Sequence, residues 1–549
     1  MNRREFLKCA VAGTVLGPSL LASSIDIAEQ DYYYAEGLQN TWHHTTLHHR
    51  VVPTSHFIQE VLGIDMHRAV GETMTVRNDL LENNSLPSRN PKSLLFFHHI
   101  TDAHVLDEES PARFVAAAPY LETIGVHNAF RKQEDLTTQV LNSMVQTMNG
   151  ICSDKKLDFV LNTGDSVDNA QENELSWFLS TMRGGEVDPD SGTDQDPLFG
   201  PNNDGNDAFL AHGLLATIPW YSAIGNHDVL IQGNVPPKVR TIFNSIIGKV
   251  SKLLVLQDPV GDYSNAVITP WVNPPKVKDL KPGYTVPDAR RRNLSGEEFI
   301  QFHQNFRTGF PGKMANVKKG YYSFYPKSGL PLKVIVMDTA SRLGTSLGGL
   351  DKNQFNDFVI PELESSKAKN ELVILASHHP SNRLKSLASI KEAFKKLFQK
   401  DPKMQEVLPE LLADFEETKA IGYVAEEKFI EKMKSYPNII AHIVGHCHKN
   451  KIIQIGTANA GYWEIQTSSL LVYPQQSRLL EIVYEGNQIG AIHTCVVDHN
   501  SAPGSLAARS RVLAKETSST EEIQEFMGQP QDRNSILRFH IPKAIANKL

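Results

Sequence analysis

From residue 93 onward, short apolar runs that end in polar turns alternate with stretches of helical spacing. Residues 94–100 (LLFFHHI) form such a run and predict a buried strand. Leu136, Val140, Leu141, Met144, Val145 and Met148 then recur at the spacing of an amphipathic helix, with Asp135 placed to cap its start. Residues 157–162 (LDFVLN) predict a strand, 173–182 a helix and 218–224 a third strand. Later, 321–325, 332–337, 372–376 and 439–444 predict strands and 354–363 a helix, and several strand-like runs follow between 462 and 498. Strand, helix and strand in alternation predict an α/β layered fold.

Two stretches break this texture. Residues 186–207 (EVDPDSGTDQDPLFGPNNDGND) are rich in Asp, Gly, Asn and Pro but lack the spacing of a defined calcium loop, so they predict a solvated insert. A Pro-rich insert spans about 230–319 and carries Arg290, Arg291 and Arg292; a basic triplet is usually a solvated face, and in an acidic chain it is also a candidate contact for an anionic substrate. On either side of the domain at 93–498 stand an extension at 29–92 and a polar tail at 499–549, which the sequence gives no role. The extension holds WHHTTLHHR, with His43, His44, His48 and His49. Neighbouring histidines without carboxylate or cysteine company are more often surface or packing residues than a metal-capturing tract.

The first 28 residues predict an export signal: a charged start (MNRREFLK), a moderate apolar run and small residues near Ala22 to Ser24. Arg3 and Arg4, followed by Phe6, Leu7 and Lys8, resemble a bacterial twin-arginine signal, which implies the twin-arginine translocase as a partner and a periplasmic or extracellular destination. The run is short for a membrane span and is broken by Gly13, Gly17 and Pro18.

Bulk composition narrows the class without choosing it. The chain has 549 residues, is 40% hydrophobic and 21% charged, and carries a formal net charge of -7, which argues against a general nucleic-acid binder. Its four cysteines, Cys9, Cys152, Cys447 and Cys495, make no disulfide framework.

The chemistry lies in five short clusters, each at or just after a predicted strand end: Asp102-Ala103-His104, Gly164-Asp165, Gly225-Asn226-His227-Asp228, His378-His379-Pro380 and Gly445-His446-Cys447-His448. In open α/β sheets ligands bind beyond the carboxyl ends of strands, so the clusters are expected to converge on one rim. Histidine nitrogen mixed with carboxylate suits first-row metals such as Mn, Zn or Fe better than Mg or Ca.

This ordered set, D-x-H, G-D, G-N-H-D, H-x-P, G-H-x-H, resembles the calcineurin-like metallophosphoesterase superfamily over roughly residues 93–448. The resemblance implies a four-layer α/β/β/α sandwich with large insertions. It implies a hydrolase with two divalent or trivalent metal ions, acting on a phosphate mono- or diester through metal-bound hydroxide. Residue by residue, it implies that Asp102, His104 and His448 hold one metal, that Asn226, His378 and His446 hold the other, and that Asp165 bridges them. His378 rather than His379 matches the ligand position two residues before the proline. His227 would contact phosphate and protonate the leaving oxygen, and Asp228 would orient His227. Purple acid phosphatases place a tyrosine three residues after the bridging aspartate; here that position is Asp168, so no iron-tyrosinate is expected. A binding scaffold on the same fold is the alternative, although such scaffolds typically lack ligands or the leaving-group histidine, and here every position is filled.

Overall fold

The computed structural model describes residues 36–54, 66–82, 91–110, 133–191, 207–237, 288–305, 319–398, 422–458 and 460–549, together with 112, 131, 251–254, 281–284 and 309–310. The expected export signal and most of the two inserts lie outside these residues. Among the described residues no helix is long and apolar enough to cross a membrane.

Two large sheets carry the fold. The first comprises β1 (Thr75–Leu80), β2 (Lys92–Ile100), β3 (Phe159–Asn162), β4 (Trp220–Ser222), β11 (Gln476–Gly486), β12 (Ile489–Asp498) and β13 (Ser535–His540), in the order β1-β13-β12-β11-β2-β3-β4. The second comprises β5 (Tyr322–Phe324), β6 (Leu332–Val336), β7 (Leu372–Ala376), β8 (Ile439–Val444), β9 (Lys451–Thr457) and β10 (Ala460–Gln466), in the order β5-β6-β7-β8-β10-β9. β2, β3 and β4 run parallel to one another, as do β6, β7 and β8, so in each sheet the neighbouring strand ends that carry the polar clusters point the same way.

The period-2 pattern explains how the second sheet is covered. β6, β7 and β8 read as nearly continuous apolar runs and are buried throughout, as expected of strands covered on both faces. Val334, Val336, Leu372, Ile374 and Ala376 join the same core as Leu95, Phe97, Phe159 and Leu161 of the first sheet. The alternate residues Ile335, Val373 and Leu375 pack with Phe355, Val359, Leu363, Phe429 and Met433, which belong to helical segments on the other face. Helices α1 (Thr137–Asp154) and α2 (Glu172–Arg183) cover the first sheet through Val140, Leu141, Met144, Leu175 and Phe178. The result is a mixed α/β architecture of sheets flanked by helices.

Three local expectations are revised. Asp135 does not cap α1: it lies inside a 3-10 turn, Glu134–Leu136, so the helix starts one residue beyond that turn with no side-chain cap. The helix expected at 354–363 begins at Lys352, capped by the Asp351 carboxylate, and passes through a π-helical stretch, Phe355–Val359, before Ile360–Ala368. The extension and the tail both enter the first sheet: β13 pairs antiparallel with β12 and parallel with β1. The expected boundaries at 92 and 498 thus cut across one sheet.

Candidate metal centre

The loops after β2 and β3 are joined side by side by backbone bonds that prolong the parallel ladder. Asp102 N–H donates to Gly164 O (2.9 Å), His104 N–H to Asp165 O (3.0 Å) and Val105 N–H to Ser166 O (3.0 Å). Twelve non-glycine residues among those described have positive φ, and five of them are Asp102, His104, Asp165, His446 and His448. Such left-handed backbone costs of order 1–3 kcal/mol per residue and persists where the surroundings over-determine it. It turns each loop sharply, so that side chains at alternate positions face one point instead of following the strand.

The five clusters do meet. His104 Nε2 and His448 Nε2 are 3.0 Å apart, and Asp102 Oδ1 lies 3.3 Å from His448 Nε2 and 3.8 Å from His104 Nε2. Beside this group, His378 Nε2 lies 3.0 Å from Asn226 Oδ1 and 3.2 Å from His446 Nδ1, which is itself 3.2 Å from Asn226 Oδ1. Asp165 stands between the groups, its Oδ2 3.1 Å from His378 Nε2 and 3.7 Å from His104 Nε2. Asp102, His104, Asp165, Asn226 and His378 are all buried.

These side chains fit cations. With metal–nitrogen and metal–oxygen bonds of about 2.0–2.2 Å, neighbouring ligand atoms on one ion stand about 2.9–3.5 Å apart, close to most of the separations found. Asp102 Oδ1 is buried without a hydrogen-bond partner, an arrangement that costs free energy unless positive charge meets it. Asn226 turns its oxygen inward because its amide nitrogen donates to Gly233 O (3.0 Å). His378 Nδ1 donates to Thr163 O (2.9 Å), leaving Nε2 for the centre. Buried His and Asp therefore form two adjoining donor sets suited to a dinuclear metal site.

The electrostatics agree. Burial opposes protonation of His104, yet Asp102, Asp168 and Asp165 overcome it and push its pKa up to about 10. His378 is likewise raised to about 9, Asp165 and Asp102 outweighing burial. Asp165 falls to about 2 because the histidines around it, His378 first, outweigh its burial. Carboxylates here draw positive charge onto His104 and His378, whereas burial pushes His446 and His448 below the usual imidazole value.

Several side-chain oxygens around the centre brace its loops. Asp102 Oδ2 accepts from Thr101 Oγ1 (2.6 Å) and from the His446 N–H (2.9 Å). Gly445 is required beside them, since a Cβ there would stand 2.0 Å from Thr101 Oγ1 and 2.5 Å from Asp102 Oδ2. Below the His378 loop, Glu464 Oε2 accepts from Ser381 N–H (2.8 Å), from the Ser381 hydroxyl and from His442 Nδ1 (3.1 Å), while His442 Nε2 meets Ser377 Oγ (2.8 Å). His379 Nδ1 lies 3.0 Å from Thr339 Oγ1, and its ring packs 4.3 Å from that of His446.

One expectation is corrected. Asp228 does not orient His227. Its Oδ2 accepts the N–H groups of Asp165 (3.0 Å) and Gly225 (2.8 Å), and its Oδ1 those of Ser166 (2.8 Å) and Val167 (3.2 Å). A carboxylate committed to four backbone donors fastens the β3 and β4 loops together. Burial and the charge of Asp165 still raise it to about 7. His227 is held instead by Asp168: His227 Nδ1–H donates to Asp168 O (2.9 Å), with Asp168 Oδ1 at 3.2 Å. The same Oδ1 lies 2.9 Å from His104 Nδ1. Sequence reasoning missed the Glu464–His442 pair, although each is a polar residue inside an apolar strand, a pattern that calls for a partner.

No protein-family model matches the chain, and no curated protein does. Among solved structures it is similar to a dimetal phosphatase from Danio rerio at 11% identity and a TM-score of 0.37, covering 74% of this chain and all of that one. It is also similar to the sulfate thiohydrolase SoxB from Thermus thermophilus, solved with glycerol, at 10% identity and a TM-score of 0.29, covering 79% of this chain and 61% of that one.

Proposed function

We propose that the chain is an exported metallophosphoesterase of the calcineurin-like type, with the four-layer sandwich of that superfamily, hydrolysing a phosphate mono- or diester. The observation that carries this reading is the position of Asp165, whose Oδ2 faces His378 on one side and His104 on the other. One carboxylate thus serves both donor sets. In the proposed site Asp102, His104 and His448 hold one cation, Asn226, His378 and His446 the second, and Asp165 both.

Two such cations polarise phosphoryl oxygens and acidify water. The chain's own residues supply the rest. Asp165 Oδ1 accepts the His227 backbone N–H (2.8 Å), which fixes this histidine against the shared carboxylate. With Nδ1–H committed to the Asp168 carbonyl, His227 Nε2 is the nitrogen that carries a proton to the leaving oxygen. The first residues, with Arg3 and Arg4, support export through the twin-arginine route.

The test is a turnover panel on purified, metal-analysed protein: bis-p-nitrophenyl phosphate, p-nitrophenyl phosphate, nucleotides and phospholipid head-group esters. Turnover of at least one ester, abolished in Asp165→Ala, is expected. Two metals bound per chain with no ester hydrolysed would favour the binding-scaffold alternative.

A further inference from the structure

The histidine tract of the extension acquires in the fold the carboxylate it lacks in sequence. Trp42–His44 form a 3-10 turn, and this turn sits against Asp154, the last residue of α1. His43 Nε2 lies 3.1 Å and His44 Nε2 2.5 Å from the same oxygen, Asp154 Oδ2. We propose that His43, His44 and Asp154 form a separate binding site for a borderline divalent cation of the Zn²⁺, Ni²⁺ or Cu²⁺ kind.

Three observations carry this. Adjacent residues of a 3-10 turn point roughly 120° apart, yet here the two rings stand 4.3 Å apart and both Nε2 atoms converge on one point. Two imidazole nitrogens with one carboxylate oxygen are a donor set for first-row transition metals, not for Ca²⁺ or Mg²⁺. The carboxylate also ends an 18-residue helix, where the unpaired carbonyls present partial negative charge that favours a cation.

The site is exposed, with the three side chains 26–44% accessible, so a cation reaches it without opening the fold and water completes its shell. It differs from the buried centre at the strand ends. Its consequence is mechanical: it ties the turn after the Glu36–Thr41 helix to α1, while Gly37 and Leu38 N–H donate to Glu481 (both 2.8 Å) on β11. A bound ion would clamp the extension to the domain from a second side and stabilise the folded chain by mass action.

The test uses full-length protein with Zn²⁺ as the probe. After equilibrium dialysis at micromolar free Zn²⁺, elemental analysis should find one zinc fewer in His43→Ala/His44→Ala, and in Asp154→Asn, than in the parent. Each protein's Tm with Zn²⁺, referred to its own value in chelator, should rise less in both variants, and ester turnover should be unchanged. Equal zinc content in all three proteins overturns the proposal, as does an undiminished Zn²⁺-dependent Tm rise in both variants.

Discussion

Asp168 contacts His227 twice, through its backbone carbonyl at 2.9 Å and its Oδ1 at 3.2 Å from Nδ1. Because that Oδ1 also lies 2.9 Å from His104 Nδ1, one buried carboxylate couples a donor of the centre to the rim histidine. Asp168→Asn keeps the carbonyl contact and removes the charge. A fall in kcat/KM of roughly 10–100-fold is expected, in line with losses of supporting hydrogen bonds at metal sites, together with weaker metal retention through His104. Steady-state kinetics paired with metal analysis checks both; unchanged values would show that the carboxylate is only packing.

His227→Ala should separate acid catalysis from metal binding, since His227 belongs to neither proposed donor set. Turnover of an alkyl ester, a poor leaving group, should drop about 10²–10⁴-fold. Turnover of a p-nitrophenyl ester, whose leaving oxygen needs little protonation, should drop much less, and metal content should stay the same. An equal loss on both substrates would remove His227 from the leaving-group role.

Protons and metals compete at the centre. In the metal-free chain His104 and His378, at about 10 and about 9, bind protons more tightly than at their unfolded value of about 6.5. Their protonated forms therefore stabilise the fold fully below about pH 6.5, and that contribution is lost as pH rises through 9 to 10. Asp165, at about 2, contributes above its unfolded value near 3.8 and is lost as pH falls through 2. Metal uptake near pH 7 should release protons, measurable by calorimetry in buffers of different ionisation enthalpy. Bound metal should also flatten the alkaline decline of Tm seen in chelator.

Gly445→Ala places a methyl group 2.5 Å from Asp102 Oδ2 and 2.0 Å from Thr101 Oγ1. Both side chains must shift, so metal affinity should fall by about tenfold or more, comparable to losses from disturbed supporting contacts. Gly329→Ala is the control. It meets no atom within 4 Å and should cost only the left-handed backbone penalty of about 1–2 kcal/mol, leaving metal affinity unchanged.

Glu464→Ala leaves the donors of Ser381 and His442 buried and unmatched, a loss of about 2–5 kcal/mol in chemical denaturation. The loop from His378 to Ser381 should loosen with it, weakening metal binding at the set that contains His378. Glu464→Gln retains an accepting oxygen and should recover part of both losses; equal behaviour of the two variants would argue against this anchoring.

The sequence alone determined the strands that are apolar on both faces, because a nearly continuous apolar run such as 372–376 or 439–444 leaves the chain few other ways to bury it. It also determined the polar clusters, since strand ends followed by Asp, Asn and His are local features. The tertiary structure decided what each side chain faces. Asp228 and Asp168 lie in similar polar turns, and only the approach of the β3 and β4 loops makes the first a backbone clasp and the second the partner of His227. β1 and β13, short and mixed in polarity, became strands where the first sheet offered them hydrogen bonds. His43 and His44 met Asp154 only once the extension had folded back, 110 residues along the chain from His44. Periodicity and motif are written locally, whereas partnership between distant side chains depends on where packing brings their backbones.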